Sequence, residues 1–144
     1  MKTSKILTIG IAAATLSLAA CRGTDSSGPV TIEGIFTLKS VNGSPLPFII
    51  NDPAGIFQVN FGDITITSGN TFSSTINFTV TIAGQATTTN SVCTGTFTQN
   101  GNRITFIEAA SSNADCGGGY IGSLSNGTTL TIAYDATLQA VYQK

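Results

Sequence analysis

Between residues 72 and 82 the chain changes character at every step. Phe72, Ser74, Ile76, Phe78, Val80 and Ile82 share one parity; Ser73, Thr75, Asn77, Thr79 and Thr81 share the other. Successive side chains of an extended strand point to opposite sides, so this period of two predicts a strand with one face turned to a core. From Val30 onward no helical period appears, and Thr, Ile, Val and Phe, all suited to a pleated surface, dominate. The same alternation predicts further strands at 34–41, 57–67, 91–99, 103–108, 119–124, 129–135 and 138–142. Phe36 and Leu38 share a face in the first of these, Cys93, Gly95 and Phe97 in the third, and Ile104 and Phe106 in the fourth. In 57–67 the phase slips near Gly62, from Phe57, Val59 and Phe61 to Ile64 and Ile66, as a β-bulge or sharp bend requires.

The joints are short. Asn42-Gly43, Asn100-Gly101 and Asn126-Gly127 suit type I′ hairpins, where both central residues take positive φ. Ser68-Gly69-Asn70 and Ala83-Gly84-Gln85 also read as hairpin tips. Segment 44–55 is rich in Pro and reads as a loop or edge crossing, and 109–118 reads as a longer loop. Sequential strands joined mostly by hairpins must bury one face and hide their edges. The expectation is therefore an all-β domain built as an eight-stranded antiparallel up-and-down barrel, with a two-sheet β-sandwich as the alternative. A membrane-spanning barrel is not expected, because the non-core face is mostly Thr and Asn rather than an apolar band.

The residues before the strands read as an address. Lys2 and Lys5 precede an apolar, small-residue run, ILTIGIAAATLSLAA, that is too short for a bilayer span and has the layout of a secretory signal peptide. Leu18-Ala19-Ala20-Cys21 resembles the lipobox of bacterial lipoproteins. That resemblance implies cleavage after residue 20, a diacylglycerol thioether on Cys21 and acylation of its amine, enough acyl chain to hold the protein at a membrane. Segment 21–29 is Gly/Ser-rich and reads as a flexible tether of about 15 Å root-mean-square reach. The domain proper is then 30–144. Arg22 stands where lipoproteins retained at the inner membrane resemble one another in carrying Asp, which points to the outer membrane of a two-membrane envelope.

Two cysteines remain, Cys93 and Cys116. Outside the cytoplasm an even pair closes a disulfide. A loop of this length gains about 3 kcal/mol in the chain-entropy model.

Gly34-Ile35-Phe36 on the first strand resembles the G-x-W opening of lipocalins, with Phe36 in place of the Trp. The strand order, the closing segment LQAVYQK and the stretch GIFTLKSVNGSPLP are similar to small lipocalin-like domains of bacterial lipoproteins, and more loosely to META-type envelope domains. The resemblance implies a late cation stacked on the first-strand aromatic, for which the chain offers Arg103 and Lys144.

The composition removes several classes of function. Six basic residues stand against 7 acidic, a net charge of −1, so no field exists to hold a nucleic-acid backbone. The chain has no His, which removes most general-base and zinc chemistry. Ser and Thr are weak nucleophiles without a base, and Glu33, Asp52, Asp63, Glu108, Asp115 and Asp135 are scattered rather than grouped in a calcium run. No catalytic residue, metal or cofactor is expected. The interior of an eight-stranded barrel either fills with side chains or holds one small ligand. Phe36, Phe61, Phe72, Ile76, Phe78, Phe97, Phe106 and Tyr120 are the candidates to line it. Two functions fit: a membrane-anchored module binding a small apolar ligand, or a structural module contacting other envelope components, for instance through Pro45, Leu46, Pro47, Phe48 and Ile49.

Overall fold

The computed structural model describes residues 31–109 and 116–144. The signal segment 1–20, Cys21 and the tether 21–29 lie outside the described residues, as does the middle of the 109–118 loop. The described residues form strands and turns without helix: β1 (Gly34–Val41), β2 (Ser44–Pro45), β3 (Phe48–Asp52), β4 (Gly55–Ile66), β5 (Thr71–Ile82), β6 (Gln85–Asn100), β7 (Arg103–Glu108), β8 (Gly119–Ser125), β9 (Thr129–Ala133) and β10 (Gln139–Gln143).

All pairings are antiparallel within one sheet, ordered β2-β1-β10-β9-β8-β7-β6-β5-β4-β3. An additional pairing of Gly34–Thr37 with residues 66–63 of β4 closes it. The ring therefore has eight strands, β1 and β4 to β10, and β2 and β3 lie outside it. The two-sheet sandwich is not formed, because the β1–β4 ladder converts the sheet into a barrel and removes its main edges.

Alternation fills the barrel as the sequence requires. Phe36, Ile64, Phe72, Ile104, Phe106, Leu130, Ile132 and Tyr142 are buried in one cluster. The rings interlock: Phe72 meets Phe106 edge-on at 5.1 Å, and Phe106 stacks on Tyr120 at 5.1 Å. Gly95 is the small residue this packing needs, since a Cβ there would overlap the Ile107 carbonyl and the Phe72 ring. At one end Ile32 is buried, and Thr31 to Glu33 line a largely polar hollow of about 230 Å³ with Ser68 and Asn70 of the β4–β5 turn and with Gln99. Nearby, the Lys144 ammonium lies 4.8 Å from the centre of the Phe36 ring.

At the other end the barrel strands overshoot. Beyond the ring, β4 pairs through 55–59 with β3, and β5 and β6 continue as a long hairpin to Ile82 and Gln85. This four-stranded extension has an apolar face carrying Phe48, Ile50, Phe57, Val59, Phe78 and Val80, with Phe57 and Phe78 stacked at 5.1 Å. Its opposite face carries a row of amides and hydroxyls beside the exposed Ile49 and Ile56. Asn60 Nδ2 donates to Asn77 Oδ1 at 2.8 Å and Thr79 Oγ1 at 3.0 Å, and Asn77 Nδ2 donates to Asn90 Oδ1 at 2.7 Å.

The departures from expectation have local causes. The phase slip in β4 falls between Val59 and Phe61, two positions before Gly62, with Asn60 as the extra residue. Asn60 and Phe61 therefore both face outward, and Phe61 is 51% exposed instead of lining the interior. Gly62 faces inward, where a Cβ would press on Ile76. Segment 44–55 is not simply a loop; it supplies β2 and β3, each pairing on one side, an arrangement that tolerates proline. Asn42-Gly43 and Ala83-Gly84 have positive φ at both positions, as type I′ turns require. Asn100, in contrast, pairs with Arg103, and positive φ falls at Gly101, so that turn is not type I′.

Cys93 and Cys116 are joined in a disulfide, with Cα atoms 5.6 Å apart. It ties β6 to the segment entering β8. Glu108 holds the same segment, accepting from Gly117 N at 3.0 Å and Gly118 N at 3.2 Å through Oε2.

Candidate functional site

The open end of the barrel contains a cavity of about 210 Å³. Its wall is drawn from most of the ring: Leu38 and Val41 of β1, Ile50 of β3, Val59 of β4, Ser74 and Ile76 of β5, Ser91 and Cys93 of β6, Glu108 of β7, and Tyr134, Leu138, Ala140 and Tyr142 around β9 and β10. Each is placed by alternation. Ser74 and Ile76 continue the inward row of Phe72, and Leu138, Ala140 and Tyr142 form the inward row of the last strand. The cavity is mainly apolar, with hydroxyls and one carboxylate set among Leu, Val and Ile. Ile50 also belongs to a neighbouring hollow of about 300 Å³ on the extension, lined by Asp52, Ala54, Gly55, Phe57, Val80 and Ile82. The apolar surface thus runs from the mouth onto the extension.

The polar groups are arranged in two sets. The Tyr134 and Tyr142 hydroxyls are 2.7 Å apart and share a hydrogen bond. The Tyr120 ring lies 4.9 Å from that of Tyr134, yet its hydroxyl is buried with no hydrogen-bond partner among the described residues. The buried Ser74 hydroxyl approaches it without closing a bond. Burial pushes the Tyr134 phenol up to about 12, against the relief its bond to Tyr142 gives. Burial raises Tyr120 and Tyr142 as well, and the negative charge of Glu108 adds to the rise at Tyr120 and Tyr134. All three phenols are neutral at physiological pH and act as hydrogen-bonding groups rather than bases.

Of the eight residues expected to line the interior, Ile76 lines this cavity. Phe36, Phe72, Phe97, Phe106 and Tyr120 pack against one another below it and fill the barrel. Phe78 sits on the extension, half-buried and stacked on Phe57, because β5 leaves the ring after Ile76. Phe61 faces outward. The cavity-lining Tyr134, Leu138, Ala140 and Tyr142 were not anticipated, although the alternation of 138–142 already placed three of them on an inward face. Within the Pro-rich segment, Leu46 and Phe48 pack partly against the core, whereas Ile49 is exposed. Among the described residues, no three His, Cys, Asp or Glu side chains converge as metal ligands would. No protein-family model and no curated protein matches the chain.

Proposed function

We propose that the chain is a lipid-anchored protein of the cell envelope whose lipocalin-like barrel takes a small hydrophobic ligand at its open mouth. The ligand half of this reading is carried by the cavity itself: a concave, largely apolar wall with a few convergent polar groups is the usual layout of a small-molecule site. At about 210 Å³ it is smaller than the roughly 300–1,000 Å³ of drug-sized pockets. It therefore suits part of a ligand, with the remainder lying along the apolar face of the extension. The lipocalin-like assignment is supported by the eight-stranded ring and by Lys144 over Phe36, a late cation on the first-strand aromatic. The anchor and the envelope location rest on Lys2, Lys5 and Leu18-Ala19-Ala20-Cys21, and Arg22 favours the outer membrane. No catalytic step is assigned.

A second reading, a non-catalytic interaction module, draws on a different observation. The lower barrel is filled by aromatic side chains, while Ile49, Ile56, Phe61 and Ile82 are exposed on and around the extension. Native mass spectrometry of the protein purified from its own host separates the two. A co-purifying small apolar molecule of constant mass is expected under the first reading. A well-folded sample without one favours the second.

A further inference from the structure

We infer that the ligand of the mouth is a cationic amphiphile, a primary ammonium on an unbranched apolar body, with its head against Glu108. The inference rests on the mouth being a ligand site and names the chemistry it selects. Among the described residues Glu108 carries the one formal charge in the cavity wall, and none of those lining it is Lys or Arg. Among the described residues its hydrogen-bond partners are Gly117 N and Gly118 N, both at Oε2, which leaves Oε1 uncommitted. A carboxylate set among apolar side chains with no cation beside it has a charge-assisted hydrogen bond to offer a cationic head.

The other polar groups suit the same head. A primary ammonium has three N–H donors and no acceptor. Glu108 Oε1 takes one, and the Ser74 hydroxyl offers an acceptor in the wall. The Ser91 hydroxyl, in the same wall, supplies another. An anionic head meets the like charge of Glu108, and a neutral head gains none of the charge-assisted bonds. The small cavity volume restricts the head to a compact group, and the apolar face from Ile76 to Phe78 and Phe57 accommodates the chain.

The test uses the full chain in nanodiscs of zwitterionic lipid, titrated at neutral pH with hexylamine, 1-hexanol and hexanoate. The readout is the ring chemical shifts of the tyrosines, which partitioning into lipid does not move. Hexylamine is expected to bind about tenfold more tightly than hexanol, the effect of one charge-assisted hydrogen-bonded pair, with hexanoate weakest. Glu108→Gln is expected to bring the amine to the level of the alcohol. Equal affinities for amine and alcohol, tighter binding of hexanoate, or an amine preference that survives Glu108→Gln would each overturn the head-group assignment while leaving the ligand site standing. If none of the three probes moves the tyrosine signals, the ligand-site reading itself falls. Should Glu108→Gln fail to fold, Ser74→Ala carries the test: the amine preference must shrink severalfold, and an unchanged preference overturns the assignment.

Discussion

Two tyrosine hydroxyls in this barrel make opposite contributions. Tyr142 shares its hydrogen bond with Tyr134, whereas Tyr120 buries its hydroxyl unpaired. Removing one half of a buried pair leaves the other unsatisfied, while removing an unpaired group relieves its desolvation. Tyr142→Phe should therefore lower stability by about 1 kcal/mol, and Tyr120→Phe should raise it by a similar amount. Urea unfolding midpoints measure both, and effects of the same sign would contradict the assigned pairing. The phenols also set an alkaline limit. Their pKa values are raised in the fold, so folding favours the protonated form. That contribution is complete below the ordinary value of 10.0 and is lost as pH climbs through about 12 at Tyr134. The chain has three tyrosines, so their absorbance change at high pH reports this group alone. Ionisation and loss of β-sheet circular dichroism should coincide; phenolate appearing while the sheet persists would show that the hydroxyls are not buried. At this scale alternation gave each residue's face except at Phe61, where Asn60, one extra residue, reversed it, but it did not tell that Phe78 lies past the ring.

The bulge at Asn60 also divides an element. Below it β4 and β5 belong to the closed ring, and above it they belong to an extension that holds Phe57 and Phe78 against each other but leaves much of its apolar face open. Regions with less buried apolar contact open more readily than the core they continue from. On β5, amide hydrogens of Phe72 and Ser74 should exchange slowly, at rates set by opening of the barrel, and those of Thr79 and Thr81 much faster. Uniform exchange along β5, followed by two-dimensional NMR, would show that ring and extension open together. All eight strands of the ring were legible from period and turns, as at 72–82 and 103–108. β2 and β3 were not, because prolines in 44–55 obscure a strand that pairs on one side. Nor does a local period say how far a strand runs past the ring: Val80 and Ile82 carry the core parity of Phe72, yet Ile82 is exposed. That distinction depends on where β1 meets β4, a contact between residues about thirty positions apart.

For the molecule as a whole, closure by the β1–β4 ladder makes the barrel, with an apolar cavity of about 210 Å³ at one end and a more polar hollow of about 230 Å³ at the other. Which end is apolar was not legible, since it follows from the overshoot of β4, β5 and β6 and from the packing of Phe36, Phe97 and Phe106 lower down. The anchor assignment is testable at the same scale. Cys21→Ser should move the protein from the membrane fraction to the soluble fraction after cell disruption, and a variant that still sediments with lipid would refute the lipobox. The position of Thr31 then acquires a meaning. Thr31, the first described residue, lies beside Ser68 and Asn70 at the end with the polar hollow, and β1 runs from there to Val41 at the apolar cavity. Were Cys21 the anchor, the point of attachment would lie across the barrel from the apolar cavity, so the tether would not pass over the mouth and cargo could reach it from the surrounding water.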